Sequence, residues 1–281
     1  MNSENIRSNR KKYIKSAIVL LIVIALLLFC NFQNKHLETT YYTYKAEQLG
    51  ADLEGYRIVQ ISDLHNVKFG KNNQKLVDRI RECEPDMIVL TGDLVDSNHT
   101  NVDRAVQFVD EIVKICPVYY VTGNHEYWLD TSEYENLMDG LASAGVVILD
   151  DQVVEISRGD AKLRLVGLDD KSLADGTLEA LLSDEKELTV VLAHEPQYFA
   201  RYAGTGVDLV LSGHAHGGQF RLPFVGGIVA PDQGFLPEYT AGEYYMNGTE
   251  MIVSRGLGNS VIPVRLFNYP EIVCVELVGM H

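Results

Sequence analysis

Five of the eight histidines stand directly after short apolar runs. YRIVQIS (56–62) leads into Asp63-Leu64-His65, MIVLTG (87–92) into Asp93, and VYYVTG (118–123) into Asn124-His125-Glu126. LTVVLA (188–193) leads into His194, and VDLVLSG (207–213) into His214-Ala215-His216. Imidazole, carboxylate and carboxamide groups bind divalent cations of intermediate softness. In extended chain, residues i and i+2 share a face, so Asp63/His65 and His214/His216 read as pairs aimed the same way. Glycines at 92, 123, 213, 217 and 218 permit sharp turns and leave room for a ligand. Singly, each motif has an ordinary structural reading: Asp-x-His and Gly-Asp as turns, His194 as a satisfied, partly buried side chain. Their recurrence at the ends of successive runs is what points to a site. His36, His99 and His281 lie in a linker, a loop and the C-terminus and receive no role.

The elements that must position these groups alternate. Strands at 56–62, 87–92 and 118–123 are separated by amphipathic helices at 72–83 and 101–115, and a helix near 132–143 ends at Gly145. VVILDD, VVEISRG and KLRLVGLDD then read as strands joined by polar turns. LTVVLAH (188–194) and VDLVLSGH (207–214) bracket a short helical stretch, and the tail from MIVSRGLG onward is again β. Ligands of open α/β sheets gather outside the carboxyl ends of strands. No linker divides the chain after residue 50, so 51–281 reads as one domain.

In this order the motifs resemble those of the calcineurin-like metallophosphoesterase superfamily, D-x-H, GD, GNH[ED], H and GHxH, over about residues 55–220. Segments 230–245 and 254–272 resemble the tail of a membrane-anchored bacterial branch similar to UDP-2,3-diacylglucosamine pyrophosphatase-like enzymes. The resemblance implies an α/β (α+β) fold, a four-layer αββα sandwich of two mixed sheets flanked by helices. It also implies two divalent metal ions: Asp63, His65 and His216 hold the first, Asn124, His194 and His214 the second, and Asp93 bridges them. A metal-bridging hydroxide would attack phosphorus of a phosphoric ester. His125, not a ligand, would give a hydrogen bond or proton to the leaving oxygen. Asp96 stands where purple acid phosphatases carry a tyrosine, so a tyrosinate-bound ferric ion is not expected. The mixed donors suit Mn²⁺, Zn²⁺ or Fe²⁺ without choosing among them. Gln219, Arg221, Tyr239, Tyr244 and Arg255 are candidates for the substrate side, or for closing loops over a sheet. Alternative readings are a pyrophosphatase acting on a UDP-diacylglucosamine-type lipid precursor, and a non-catalytic binding module on the same fold.

Charge and the N-terminus set the surroundings. Residues 1–35 hold six basic side chains against Glu4, a balance of +5; the whole chain carries −15, so residues 36–281 carry −20. So acidic a domain repels polyanions, which argues against nucleic acid as a partner. Two dications against two carboxylates would make a local phosphate trap within it. SAIVLLIVIALLLFCNF (16–32) is apolar throughout and follows a basic flank at 1–15; it reads as a membrane anchor or signal segment, and 33–50 as a linker and first strand. No small-residue cleavage site follows, Phe29 before Cys30 argues against lipidation, and NRKKYIK (9–15) is a degenerate twin-arginine pattern. A basic flank retained in the cytoplasm leaves the domain outside. The four cysteines read as buried thiols; Cys83 and Cys116, each just before a strand, would approach each other if those strands are parallel neighbours.

Overall fold

The computed structural model of the 281-residue chain describes residues 3–47, 49–182, 187–259 and 262–280, with side chains from residue 11 onward; His281 lies outside them. Helix α1 (Ser3–Lys35) comes first, and its segment Lys11–Lys35 is long and apolar enough to cross a membrane. Residues 33–35, assigned by composition to a linker, complete this helix instead. Their polar side chains find partners on the domain: Asn34 donates to Pro263 O (2.8 Å) and accepts from the Arg265 N–H (2.8 Å). Only His36 and Leu37 separate α1 from strand β1 (Glu38–Ala46).

The chain then alternates through β2 (Arg57–Ile61), α2 (Gln74–Glu82), β3 (Met87–Thr91), α3 (Val102–Ile112), β4 (Val118–Val121), α4 (Asn124–Tyr127), α5 (Thr131–Ala144) and β5 (Val147–Ile148). Apolar faces select the helices: Leu76, Val77 and Ile80 of α2, and Ala105, Phe108, Val109 and Ile112 of α3, are buried. The Asn101 side chain caps α3 by accepting the Arg104 N–H, and Gly145 ends α5 in the left-handed conformation. The second half brings β6 (Gln152–Arg158), β7 (Ala161–Gly167), α6 (Thr177–Leu181), β8 (Leu188–Leu192), α7 (Phe199–Tyr202) and β9 (Leu209–Ser212). Two small hairpins follow, β10 (Arg221–Leu222) with β11 (Gly226–Gly227) and β12 (Val229–Ala230) with β13 (Gly234–Phe235). β14 (Gly242–Met246), β15 (Thr249–Val253) and β16 (Glu271–Gly279) complete the order.

Two mixed six-stranded sheets result, ordered β1-β16-β2-β3-β4-β5 and β14-β15-β9-β8-β7-β6. The strand that composition places in the linker region is therefore the edge of the first sheet, parallel to β16. Three buried clusters separate four layers. One packs α2, α3 and α5 on the first sheet, the second lies between the sheets, and the third packs α6 and α7 on the second sheet. β3, β8 and β9 are buried along their whole length, which explains their unbroken apolar runs. The runs β2-β3-β4 and β7-β8-β9 are each parallel, so each delivers its strand ends to one edge. Beneath that edge Gln60 of β2 ties the sheets, donating to Ser212 O (2.9 Å) of β9 and to Thr91 Oγ1 (2.9 Å). β3 and β4 are parallel neighbours, yet all four cysteines are free. Cys83 packs in the helix-covered core together with Cys274, with its thiol directed to Arg79 O (3.3 Å).

Candidate metal centre

Asp63 and His65 follow β2, Asp93 follows β3, and Asn124 opens α4 directly after β4; His194 follows β8, and His214 and His216 follow β9. The i, i+2 pairs are not aimed by a pleat, as extended chain would aim them. Asp63, His65, Asp93, His214 and His216 all take the left-handed backbone, with φ of 50°, 45°, 52°, 61° and 47°. Each non-glycine residue there costs on the order of 1 kcal/mol, and such strain gathers at functional sites. It persists because the neighbouring backbone is over-determined. The N–H of Asp63 donates to Gly92 O and that of His65 to Asp93 O, and the His214 N–H donates to the Asp63 carboxylate (3.0 Å). The glycines make room for these side chains themselves. A Cβ at Gly92 would lie 2.5 Å from His194 Nδ1, and one at Gly213 would collide with Ser62 and Asp63.

Two donor groups meet at one carboxylate. Donor atoms of Asp63, His65, Asp93 and His216 lie within 4.8 Å of one another, and so do those of Asp93, His194 and His214. Asp93 Oδ2 is 3.4 Å from His65 Nε2 and 3.4 Å from His194 Nε2, while Oδ1 accepts the His125 N–H (2.9 Å). His216 Nε2 stands 3.2 Å from His65 Nε2 and 3.5 Å from Asp63 Oδ1. Asn124 Oδ1 is 3.2 Å from His194 Nε2. The structure thus gathers Asp63, His65, Asp93 and His216 in one group and Asp93, His194 and His214 in the other, with Asn124 beside His194.

The outer contacts fix which nitrogen faces inward. His194 Nδ1 donates to Thr91 O (2.7 Å) and His216 Nδ1 donates to Gly258 O (3.2 Å). Both Nε2 lone pairs are thereby left turned into the cluster. His214 is turned the other way: its Nε2 donates to Asp232 Oδ2 (2.9 Å), so Nδ1 faces inward. His194 Nε2 and His214 Nδ1 therefore oppose lone pairs at 3.2 Å. A cation held by these two nitrogens would remove that repulsion. Burial opposes charge on His194, yet Asp93, with Asp63 and Asp170, raises its pKa well above the ordinary range. Burial dominates at His65 and His216 and pushes both down to about 3. That keeps them in the neutral, ligating form. Donor types, tautomers and shared carboxylate all fit divalent ions.

His125 lies beside this cluster, its ring 4.5 Å from that of His65 and 4.7 Å from that of Trp128, which is exposed. The Ser97 N–H donates to His125 Nδ1 (3.2 Å), which leaves the ring proton on Nε2. Asp96 Oδ1 also lies 3.9 Å from its Nδ1.

Three supporting groups escape sequence reasoning. Glu126, within the GNHE motif, accepts the N–H groups of Asp93 (2.9 Å), Leu94 (2.8 Å) and Gly123 (2.8 Å) and so holds the turn that carries Asp93. Burial, with the Asp93 charge, pushes its carboxyl up to about 8. Its motif position was the only signal. Asp232 and Ser97 sit in loops without periodicity and gain their roles only through folding. Conversely, the five candidates for the substrate side are occupied elsewhere. Gln219 donates to Ile262 O and Val264 O, Arg221 to Gly217 O and Thr240 Oγ1, and Arg255 pairs with Glu38 and Glu271. Tyr239 and Tyr244 pack edge to face at 5.0 Å.

A strained edge between two sheets, carrying a shared carboxylate amid imidazoles, defines a metal-dependent phosphoesterase. A family model for calcineurin-like phosphoesterase matches residues 56–218, and the chain belongs to that family. It is 32% identical over 253 residues to the uncharacterized metallophosphoesterase YkuE of Bacillus subtilis, covering 86% of this chain and 85% of that one. It is 31% identical over 228 residues to the phosphodiesterase YaeI of Escherichia coli, covering 79% and 82%. A zebrafish transmembrane protein with metallophosphoesterase domain is 29% identical over 256 residues, covering 82% of this chain and 55% of the fish protein. A chain of this family with this cluster hydrolyses phosphoesters.

Proposed function

We propose that the protein is a binuclear, membrane-tethered phosphodiesterase. The observation that carries this reading is the position of Asp93 Oδ2, 3.4 Å from one imidazole of each donor group. Asp63, His65 and His216 would hold one divalent ion, Asn124, His194 and His214 the other, and Asp93 both. Divalent ions held by these residues would supply a water of near-neutral pKa and charge stabilisation for the phosphoryl oxygens. The chain's own residues do the rest. Glu126 fixes the Asp93 turn, and Thr91 O, Gly258 O and Asp232 fix the imidazole tautomers. His125, with its proton on Nε2, donates to the leaving oxygen. The E. coli relative's name favours a diester over a monoester or pyrophosphate, and the fish relative's name accords with α1 as an anchor. The basic flank favours an orientation with the domain outside the cytoplasm. That orientation weighs against a cytoplasmic nucleotide-lipid substrate and leaves a phosphodiester at the outer surface. Every donor position is filled, which weighs against a non-catalytic binding module.

The test uses the full chain loaded with manganese, zinc or iron. Elemental analysis is expected to give two ions per chain, and bis(p-nitrophenyl) phosphate to be hydrolysed faster than the monoester or a pyrophosphate. His125→Ala is expected to keep both ions and lower kcat by ~10²-fold or more. One ion or none per chain sinks the reading; an unchanged kcat removes the assigned role of His125.

A further inference from the structure

The segment after the GHAH motif carries its apolar side chains outward. Phe224 is fully exposed at the tip of the β10–β11 hairpin, beside the exposed Val225, and Phe235 and Leu236 are exposed at the second hairpin. Phe267 is exposed as well. These tips form one layer over the metal-binding edge. Ile228 N–H donates to Gly218 O and Phe220 O, Leu236 N–H to Ile228 O, and Arg221 N–H to Leu266 O. Asn268 donates to His216 O (2.8 Å), and Asp232, the partner of His214, lies in the turn of the second hairpin.

The same layer touches α1. Phe29 packs edge to face on Phe267 at 6.0 Å, and Phe32 on Tyr269 at 6.0 Å. Depth along α1 then decides what surrounds the layer. Phe29 lies five residues from the middle of the apolar run 16–32. At the rise of an α-helix that separation is about 7.5 Å along the axis. Half a hydrocarbon core is about 15 Å. If α1 spans a bilayer, Phe267 and its neighbours reach the acyl region. Charge agrees at the helix exit. Lys35 donates to Lys68 O (3.0 Å), and Lys68, Lys71 and Arg104 line one cavity there against a single acid, Asp103, a net basic group on an otherwise acidic domain.

We propose that the tips at Phe224–Val225 and Phe235–Leu236, with Phe267, enter the leaflet beside α1, so that the metal-binding edge rests on the bilayer surface. The proposal rests on α1 being a membrane anchor. It predicts that the domain is seated by a second, monotopic contact rather than swinging on a tether.

The full chain is placed in phosphatidylcholine–phosphatidylglycerol vesicles, with or without brominated acyl chains, as the parent, Phe224→Trp and Tyr245→Trp. The parent's single tryptophan, Trp128, supplies the background. Tyr245 is exposed at the opposite end, paired with Glu250. Bromolipid is expected to quench the emission added by Phe224→Trp by about half or more, as burial of about 5–10 Å requires, and to leave that added by Tyr245→Trp unchanged. Vesicle flotation is read on the same samples. Protein that floats with vesicles but shows no quenching at position 224, or equal quenching at both positions, overturns the second contact and leaves the anchor standing. Protein that does not float removes the anchor and the proposal with it.

Discussion

Both ends of the sandwich are acidic, but only one is built to hold a cation. At the metal-binding end, carboxylates are interleaved with imidazoles whose outer nitrogens are committed to carbonyls or to Asp232. At the opposite end, a cavity of about 550 Å³ is lined by Tyr44, Glu47, Glu187 and Asp208, with no histidine or cysteine among its described residues. Backbone differs as well. Five donor residues at the first end take left-handed φ, whereas the positive-φ residues lining the far cavity are the glycines 206 and 248. The lesson is that neither void volume nor negative charge marks the site. What marks it is strained backbone over-determined by hydrogen bonds, holding imidazole nitrogens against carboxylate oxygens.

The sharpest way to break this contrast is to remove one carboxylate from each end. Asp93→Ala should lose both ions and at least ~10³-fold in kcat, since charge stabilisation aimed at the transition state goes with them. Glu47→Ala, at the far cavity, should keep ion content and turnover. Elemental analysis and steady-state kinetics on folded protein decide it. Retained metal stoichiometry in Asp93→Ala would refute the shared carboxylate.

Much of this was legible from residue order. Apolar runs ending in Asp63, Asp93, Asn124, His194 and His214 placed the donors at strand ends, because a strand buried on both faces has a continuous hydrophobic signal. The geometry of the donors was not legible. The extended-chain argument for Asp63/His65 and His214/His216 reaches the right convergence by the wrong route, since left-handed φ is a property of tertiary context and leaves no periodicity. Asp232 was invisible for a related reason: its partner His214 is 18 residues away across a hairpin turn. Polar Gln33 and Asn34 read as linker, but contacts with residues 263–269 continue the helix.

Asp232 gives a subtler test of the first end. It orients His214 from outside the cluster, where carboxylate partners of metal-bound imidazoles typically contribute about 10–100-fold in affinity. Asp232→Ala should therefore weaken binding of one ion by about that factor and spare the other, seen as two separated steps in a manganese titration. Equal weakening of both ions, or of neither, would mean that the His214 tautomer is set elsewhere.

The smallest expected effect belongs to the far end and concerns protons alone. Glu250 is 8% exposed, and one of its oxygens has no hydrogen-bond partner. Burial, with the charge of Glu243, pushes its carboxyl up to about 7. The folded protein therefore holds this proton more tightly than the unfolded chain does. The resulting stability is fully present below the ordinary glutamate pKa and is lost as pH rises through about 7. Glu250→Gln keeps the group neutral at every pH. Its Tm should match the parent near pH 4.5 and exceed it by about 2–4 °C at pH 8, once partial solvation is allowed for. Thermal unfolding at several pH values measures the difference. A flat difference across that range would mean that the far-end carboxyl is solvated like a surface group, and the contrast between the two ends would rest on imidazoles alone.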